Sequence, residues 1–140
     1  MIKYLGHASI YIEVDGTSIV TDPWFSKTGA FLASWHQFPE NEDLDLDLVR
    51  NVTYVVLSHE HLDHFDVDFI KTISKNTKIL IPVYQDKYLL NKLQEITQNK
   101  IIEVDYKTKY KLNDNFTALP LNQTVPIQMD STWIFETPEG

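Results

Sequence analysis

Three of the five histidines in this 140-residue chain fall within six positions, in the stretch "LSHEHLDHFD" from Leu57 to Asp66. Imidazole and carboxylate side chains together make nitrogen and oxygen ligand sets for divalent cations, and neither packing nor solubility needs such a grouping. If the segment leaves a strand extended, His59 and His61, two residues apart, point the same way. Two neutral imidazoles so aligned can meet one metal at about 2.0–2.1 Å. A turn at Leu62-Asp63 then aims Asp63 and His64 at a neighbouring point. One short loop thereby supplies ligands to two metals, which in two-metal hydrolases sit roughly 3.5–4 Å apart. Were residues 58–66 helical, His61 and His64 would share a face and His59 would point elsewhere. The competing reading is an exposed acidic loop with solvated histidines. Four ligand-type side chains at the C-terminal end of a buried strand, where α/β proteins place their sites, favour metal. The chain has no cysteine, so the ligand set is nitrogen and oxygen, which fits zinc, iron or manganese and leaves that choice open; one or two divalent ions are expected, with zinc put first.

The elements that must position this loop are legible in part. From Ile2 to Asp22 the pattern alternates, with Ile10, Ile12 and Val14 on one face and Asp15-Gly16 as a hairpin turn, so the chain opens as a β-meander. The stretch "PWFSKTGAFLASWHQFPENEDLDLDL" has neither strand nor helix period over most of its length and reads as a long functional loop. "VTYVVLS" is a buried strand running into the histidines. "DVDFIKTISK" suggests a short helix, "KILIPV" a strand, and "YQDKYLLNKLQEITQ" a longer amphipathic helix with Leu89, Leu93 and Ile96 in register. "IIEV", "YKTKYKL", "FTALPL" and "STWIFET" return to strands. The order gives an α/β protein with mixed sheets and no internal repeat. "TPEG" resembles the turn that launches a hairpin partner for "STWIFE". Residues 1–140 are therefore expected to be a single domain, incomplete at its C-terminus, with an exposed edge open to self-association.

"SHEHLDH" matches the H-x-H-x-D-H signature of the metallo-β-lactamase superfamily. "YLGHASIYIEVDGTSIVTDPWF" resembles one branch of it, which includes N-acyl-phosphatidylethanolamine-hydrolysing phospholipase D, ascorbate-phosphate lactonase and the metallo-β-lactamase-like part of the CMP-N-acetylneuraminate hydroxylases. The resemblance covers residues 2–66 well and is loose beyond. It implies an αββα sandwich, of which this chain supplies the N-terminal half to two-thirds. It also implies that His59 and His61 hold a first metal and that Asp63 and His64 hold a second. Asp63 would orient the attacking water or take its proton. The family uses a further histidine, a bridging aspartate and a last histidine. No histidine follows His64, and where the third belongs the chain reads "NQTVPIQMD", so Asn122, Gln123 or Asp130 has to substitute. The site of this chain alone is expected to be incomplete and inactive.

The leading expectation is a metal-dependent hydrolase that uses metal-bound hydroxide on a phosphoester, lactone or amide. An iron-dependent or accessory oxidoreductase related to nucleotide-sugar hydroxylation and a non-catalytic metal-binding module are the alternatives. His7, in "GHAS", is either a structural hydrogen-bonding residue or part of the site. Asp22, in "TDPW", either starts a turn or orients a ligand histidine. His36 lies in the aromatic loop and either faces solvent, packs there or touches substrate. Trp24, Phe31 and Trp35 could wall a pocket for a small-molecule substrate with an apolar group. A net charge of −8, from 20 acidic and 12 basic residues, argues against nucleic acid as a partner. No apolar run approaches the roughly 18 residues of a membrane span, and a cytoplasmic setting is expected.

Overall fold

The computed structural model describes residues 1–38, 40, 41, 43–122 and 130–140. Strands β1 (Ile2–Gly6), β2 (Ser9–Val14) and β3 (Thr17–Thr21) form the opening meander. Asp15 and Gly16 take φ of 48° and 76° between β2 and β3, the paired left-handed conformation of a type I′ turn. β3 then pairs in parallel with β4 (Tyr54–Val56), β4 with β5 (Lys78–Pro82), and β5 with β6 (Ile101–Val104). The result is a six-stranded mixed sheet in the order β1-β2-β3-β4-β5-β6. Its parallel half is joined by α2 (Val67–Ile70) and α3 (Tyr88–Ile96). A second, antiparallel sheet holds β7 (Tyr110–Asn113), β8 (Phe116–Asn122) and β9 (Ser131–Glu136).

Two apolar cores follow from this layering. On one face of the large sheet, Val20, Val55, Leu57, Ile79 and Ile81 pack with Phe69, Ile70, Leu89 and Leu93 of the helical side. On the other face, Ile19, Val56 and Leu80 meet Leu112, Phe116 and Ala118 of the second sheet. Alternate residues of β4 feed opposite cores, the two-residue side-chain period of a strand buried on both faces. Helices, sheet and sheet are three successive layers of the αββα sandwich.

Two elements differ from the sequence reading. The end of the long loop forms a helix, α1 (Leu46–Arg50), capped by the Asp45 carboxylate, which accepts from the Leu48 amide. Its single turn is too short to show a helical period, and the alternation "DLDLDL" imitates a strand. In "YKTKYKL" only Tyr110 and its successors pair. The first half is a turn, with Lys107 at φ 63° and its amide bonded to the Pro120 carbonyl. Alternating Tyr and Lys have the right period there, but the left-handed backbone at Lys107 interrupts the extended run.

Candidate metal centre

The histidine loop leaves β4 at the carboxyl end of the parallel strands. The Leu57 amide still bonds the Leu80 carbonyl, and then the ladder stops. Asp22, just past the end of β3, takes over: its carboxylate accepts from the Ser58 amide (2.7 Å), the Ser58 hydroxyl (2.6 Å) and His64 Nδ1 (3.0 Å). The carbonyls of Leu57 and Ser58 would otherwise be buried acceptors without strand partners. They are satisfied from the second sheet, Leu57 by the Trp133 indole (3.0 Å) and Ser58 by the Ser131 hydroxyl (2.6 Å). The Tyr84 hydroxyl also donates to the Ser58 carbonyl. Residues 62–64 form a turn, closed by the amides of His64 and Phe65 on the His61 carbonyl.

This scaffold fixes the ring nitrogens. The single proton of the Ser58 hydroxyl goes to Asp22, so its oxygen accepts from His59 Nδ1 at 2.8 Å. His59 is thereby left with a bare Nε2. The Asp22 carboxylate likewise holds the Nδ1 proton of His64 and turns its Nε2 inward. An oxygen partner on the far nitrogen is the arrangement that orients metal-ligating histidines.

Ligand-type atoms gather in two groups, one of His59, His61 and Asp130 and one of His7, Asp63 and His64, each with its atoms within 4.8 Å of one another. The groups adjoin, since the rings of His59 and His64 are 4.1 Å apart. Donor atoms about 2.1 Å from one ion stand roughly 3.0 Å apart in octahedral and 3.4 Å apart in tetrahedral geometry. His59 Nε2 lies 3.4 Å from Asp130 Oδ1, and His64 Nε2 lies 3.4 Å from Asp63 Oδ2. Those separations are long for hydrogen bonds and right for ligands sharing a cation, so the residues fit the metal that the spacing suggests. Asp63 is buried and also meets His7 Nε2 at 2.8 Å.

The electrostatics of the two inner histidines diverge. Burial lowers the pKa of His59, and the neighbouring His64 pushes it the same way against the attraction of Asp130 and Asp22. Burial also opposes charge on His64, but the Asp22 hydrogen bond and the carboxylates of Asp22, Asp63 and Asp130 outweigh it and raise its pKa. His7 and Asp22 both hold left-handed backbone, at φ 50° and 34°.

The remaining expected residues fall around this centre. Trp24 is buried, with its ring edge-on to His7 at 5.1 Å. Phe31 stacks edge-on with Trp35 at 5.1 Å and faces His61 at 6.4 Å. His36 belongs to neither ligand group; with Tyr4, His7, Trp24, Trp35 and Phe38 it lines a shallow cleft beside the centre. Behind Trp24 lies a cavity of about 230 Å³ under the loop. Asn122 ends β8 exposed, and Gln123 lies outside the described residues. The supporting roles of Ser58, Tyr84, Ser131 and Trp133 carried no sequence signal. Tyr84 and Ser131 are 26 and 73 positions from Ser58, and only the fold brings them to it.

This arrangement of a strand-end histidine loop on a sheet backed by a second sheet defines a class. The family described as "Beta-lactamase superfamily domain" matches residues 1–136, and the chain belongs to that superfamily, with the metallo-β-lactamase fold. Relatives sharpen the placement. A provisionally named Rieske 2Fe-2S iron-sulfur protein of Mycolicibacterium smegmatis is 34% identical over 113 residues, 80% of this chain and 21% of the relative. N-acyl-phosphatidylethanolamine-hydrolyzing phospholipase D 1 of Caenorhabditis elegans is 27% identical over 92 residues, 63% of this chain and 26% of that protein. CmlA, a diiron beta-hydroxylase from Streptomyces venezuelae, shares the fold with a TM-score of 0.71 at 19% identity, over 99% of this chain and 27% of CmlA. The chain thus spans about a fifth of the length of the Rieske-named relatives it matches. No helix among the described residues is long and apolar enough to cross a membrane.

Proposed function

We propose that the protein carrying this chain is a metal-dependent hydrolase acting on a phosphoester, lactone or amide of a small molecule with an apolar group. The observation that carries this reading is the convergence of two ligand groups, each with a carboxylate, on one loop at the end of β4. His59 and His61 would hold one divalent cation, and Asp63 and His64 the other. Such a cation lowers the pKa of bound water toward about 7 and stabilises charge on the attacked centre. Asp63 Oδ2, pinned by His7 and buried, is placed to orient a water molecule and hold its proton. Trp24, Phe31 and Trp35 offer the apolar part of a substrate a wall beside His7 and His61. The chain covers a fraction of its relatives' length, so the activity is proposed for the whole protein.

A second reading, iron-dependent oxygenation, is favoured by the carboxylate of Asp130 in the first group and by the diiron chemistry named for CmlA. Turnover of a chromogenic phosphodiester and a simple lactone by the metal-loaded full-length protein tests the first reading. Asp63→Asn is expected to slow hydrolysis by about 10²–10⁴-fold, the range of a lost acid–base group, with first-site metal content unchanged. Hydrolysis at the wild-type rate would remove Asp63 from the mechanism. Oxygen uptake without hydrolysis would transfer the site to the second reading.

A further inference from the structure

We propose that Asp130 is the third protein ligand of the ion held by His59 and His61, giving a two-histidine, one-carboxylate site tuned toward iron(II) rather than zinc. The inference rests on the reading above that the loop binds divalent cations, and it assigns the metal class of the first site.

Placement supports it first. Asp130 immediately precedes β9, and β9 is fastened to the loop at two consecutive carbonyls: Ser131 Oγ to Ser58 (2.6 Å) and Trp133 Nε1 to Leu57 (3.0 Å). Ser131 is itself buried, and its hydroxyl oxygen lies 3.2 Å from that of Tyr84. The residue before Ser131 is therefore pinned beside the residue after Ser58, which is His59. Asp130 Oδ1 stands 3.4 Å from His59 Nε2, and the donors of His59, His61 and Asp130 lie within 4.8 Å of one another. The remaining three histidines are placed elsewhere, His7 on Asp63, His64 between Asp22 and Asp63, and His36 in the aromatic loop.

Two histidines and a carboxylate also hold zinc in some hydrolases, and ligand hardness biases the choice between the metals. Three imidazoles are a neutral, nitrogen-only set that suits tetrahedral zinc. Exchanging one for a carboxylate adds a negative charge and a hard oxygen donor, and two histidines with one carboxylate and open positions form the triad typical of non-haem iron(II).

The test uses full-length protein stripped with a chelator and titrated anaerobically with ferrous and with zinc salts, with metal content measured in parallel. Asp130→Asn keeps the shape of the side chain; it is expected to retain the wild-type circular dichroism and lose iron(II) affinity at the first site by at least about tenfold. Asp130→His is expected to bind again and to raise the zinc-to-iron affinity ratio by about tenfold or more, one decade in the equilibrium constant. If Asp130→Asn binds iron(II) as tightly as the wild type while His61→Ala loses the site, the metal reading stands and the role of Asp130 falls. An unchanged metal ratio in Asp130→His overturns the selectivity. Full metal content in both His61→Ala and Asp130→Asn overturns the proposal together with the metal reading beneath it.

Discussion

His59 and His64 lie ring against ring, 4.1 Å apart, yet their surroundings move their proton affinities in opposite directions from the ordinary 6.5. In the metal-free protein this has a definite sign. The raised pKa of His64 contributes stability that is fully present below about pH 6.5 and is lost as pH rises through the folded value. The lowered pKa of His59 contributes stability present above about pH 6.5 and lost as pH falls toward its folded value. An NMR titration of the ring protons is expected to show His64 titrating above 6.5 and His59 below it; the reverse order would mean that the Asp22–His64 bond does not form in solution. Asp22 itself joins β3 to the loop through three accepted hydrogen bonds. Asp22→Ala should therefore weaken metal binding by about 10–100-fold, as loss of a residue that orients ligands does, measured by calorimetric titration. Unchanged affinity would show that His64 is held by something other than Asp22. At this scale the candidate ligands His59, His61, Asp63 and His64 were legible as a group because their spacing is local. Ser58 stood in the same stretch, but its role depends on Asp22, 36 positions away.

Among the elements, α2 shows how little helix the loop needs. Its four residues make about one turn, too few to be stable alone. The buried Asp66 carboxylate compensates: it caps the helix at the Phe69 amide (3.0 Å) and accepts from the Phe25 amide, the Ser26 amide and the Ser26 hydroxyl. The last aspartate of "LSHEHLDHFD" thus closes the loop structurally and binds nothing in either ligand group. Asp66→Ala is expected to cost about 2–4 kcal/mol, a lost cap plus orphaned buried donors, read from urea unfolding; a cost under about 0.5 kcal/mol would show that the loop is held by other contacts. Strands with strong β-branched runs, such as β4 and β5, were visible in the sequence because they are buried on both faces. α1 was not, since one capped turn leaves no periodicity to read.

In the molecule as a whole, the two sheets share one apolar seam, and fully buried Phe116 sits in it against β-strand residues of the larger sheet. Phe116→Ala should cost about 3–5 kcal/mol by chemical denaturation, and metal affinity should fall with it because Ser131 and Trp133 of the same sheet brace the loop. Stability loss with fully retained affinity would show the loop to be independent of that seam. The mixed αβ layering followed from the order of patterns along the chain. The meeting of Asp130 with His59 was legible only as one choice among Asn122, Gln123 and Asp130, because it depends on how the sheets stack. One feature of the backbone sets the terms for any engineering of this molecule. His7 and Asp22 occupy left-handed conformations that cost a residue with a side chain on the order of 1 kcal/mol or more. A variant library sorted solely by heat resistance would be drawn toward glycine at His7, which is exposed, whereas the three hydrogen bonds accepted by buried Asp22 oppose that exchange there. Its hardiest members would have traded away the side chain that steadies Asp63, so such a screen has to carry a metal-retention readout alongside the melting curve.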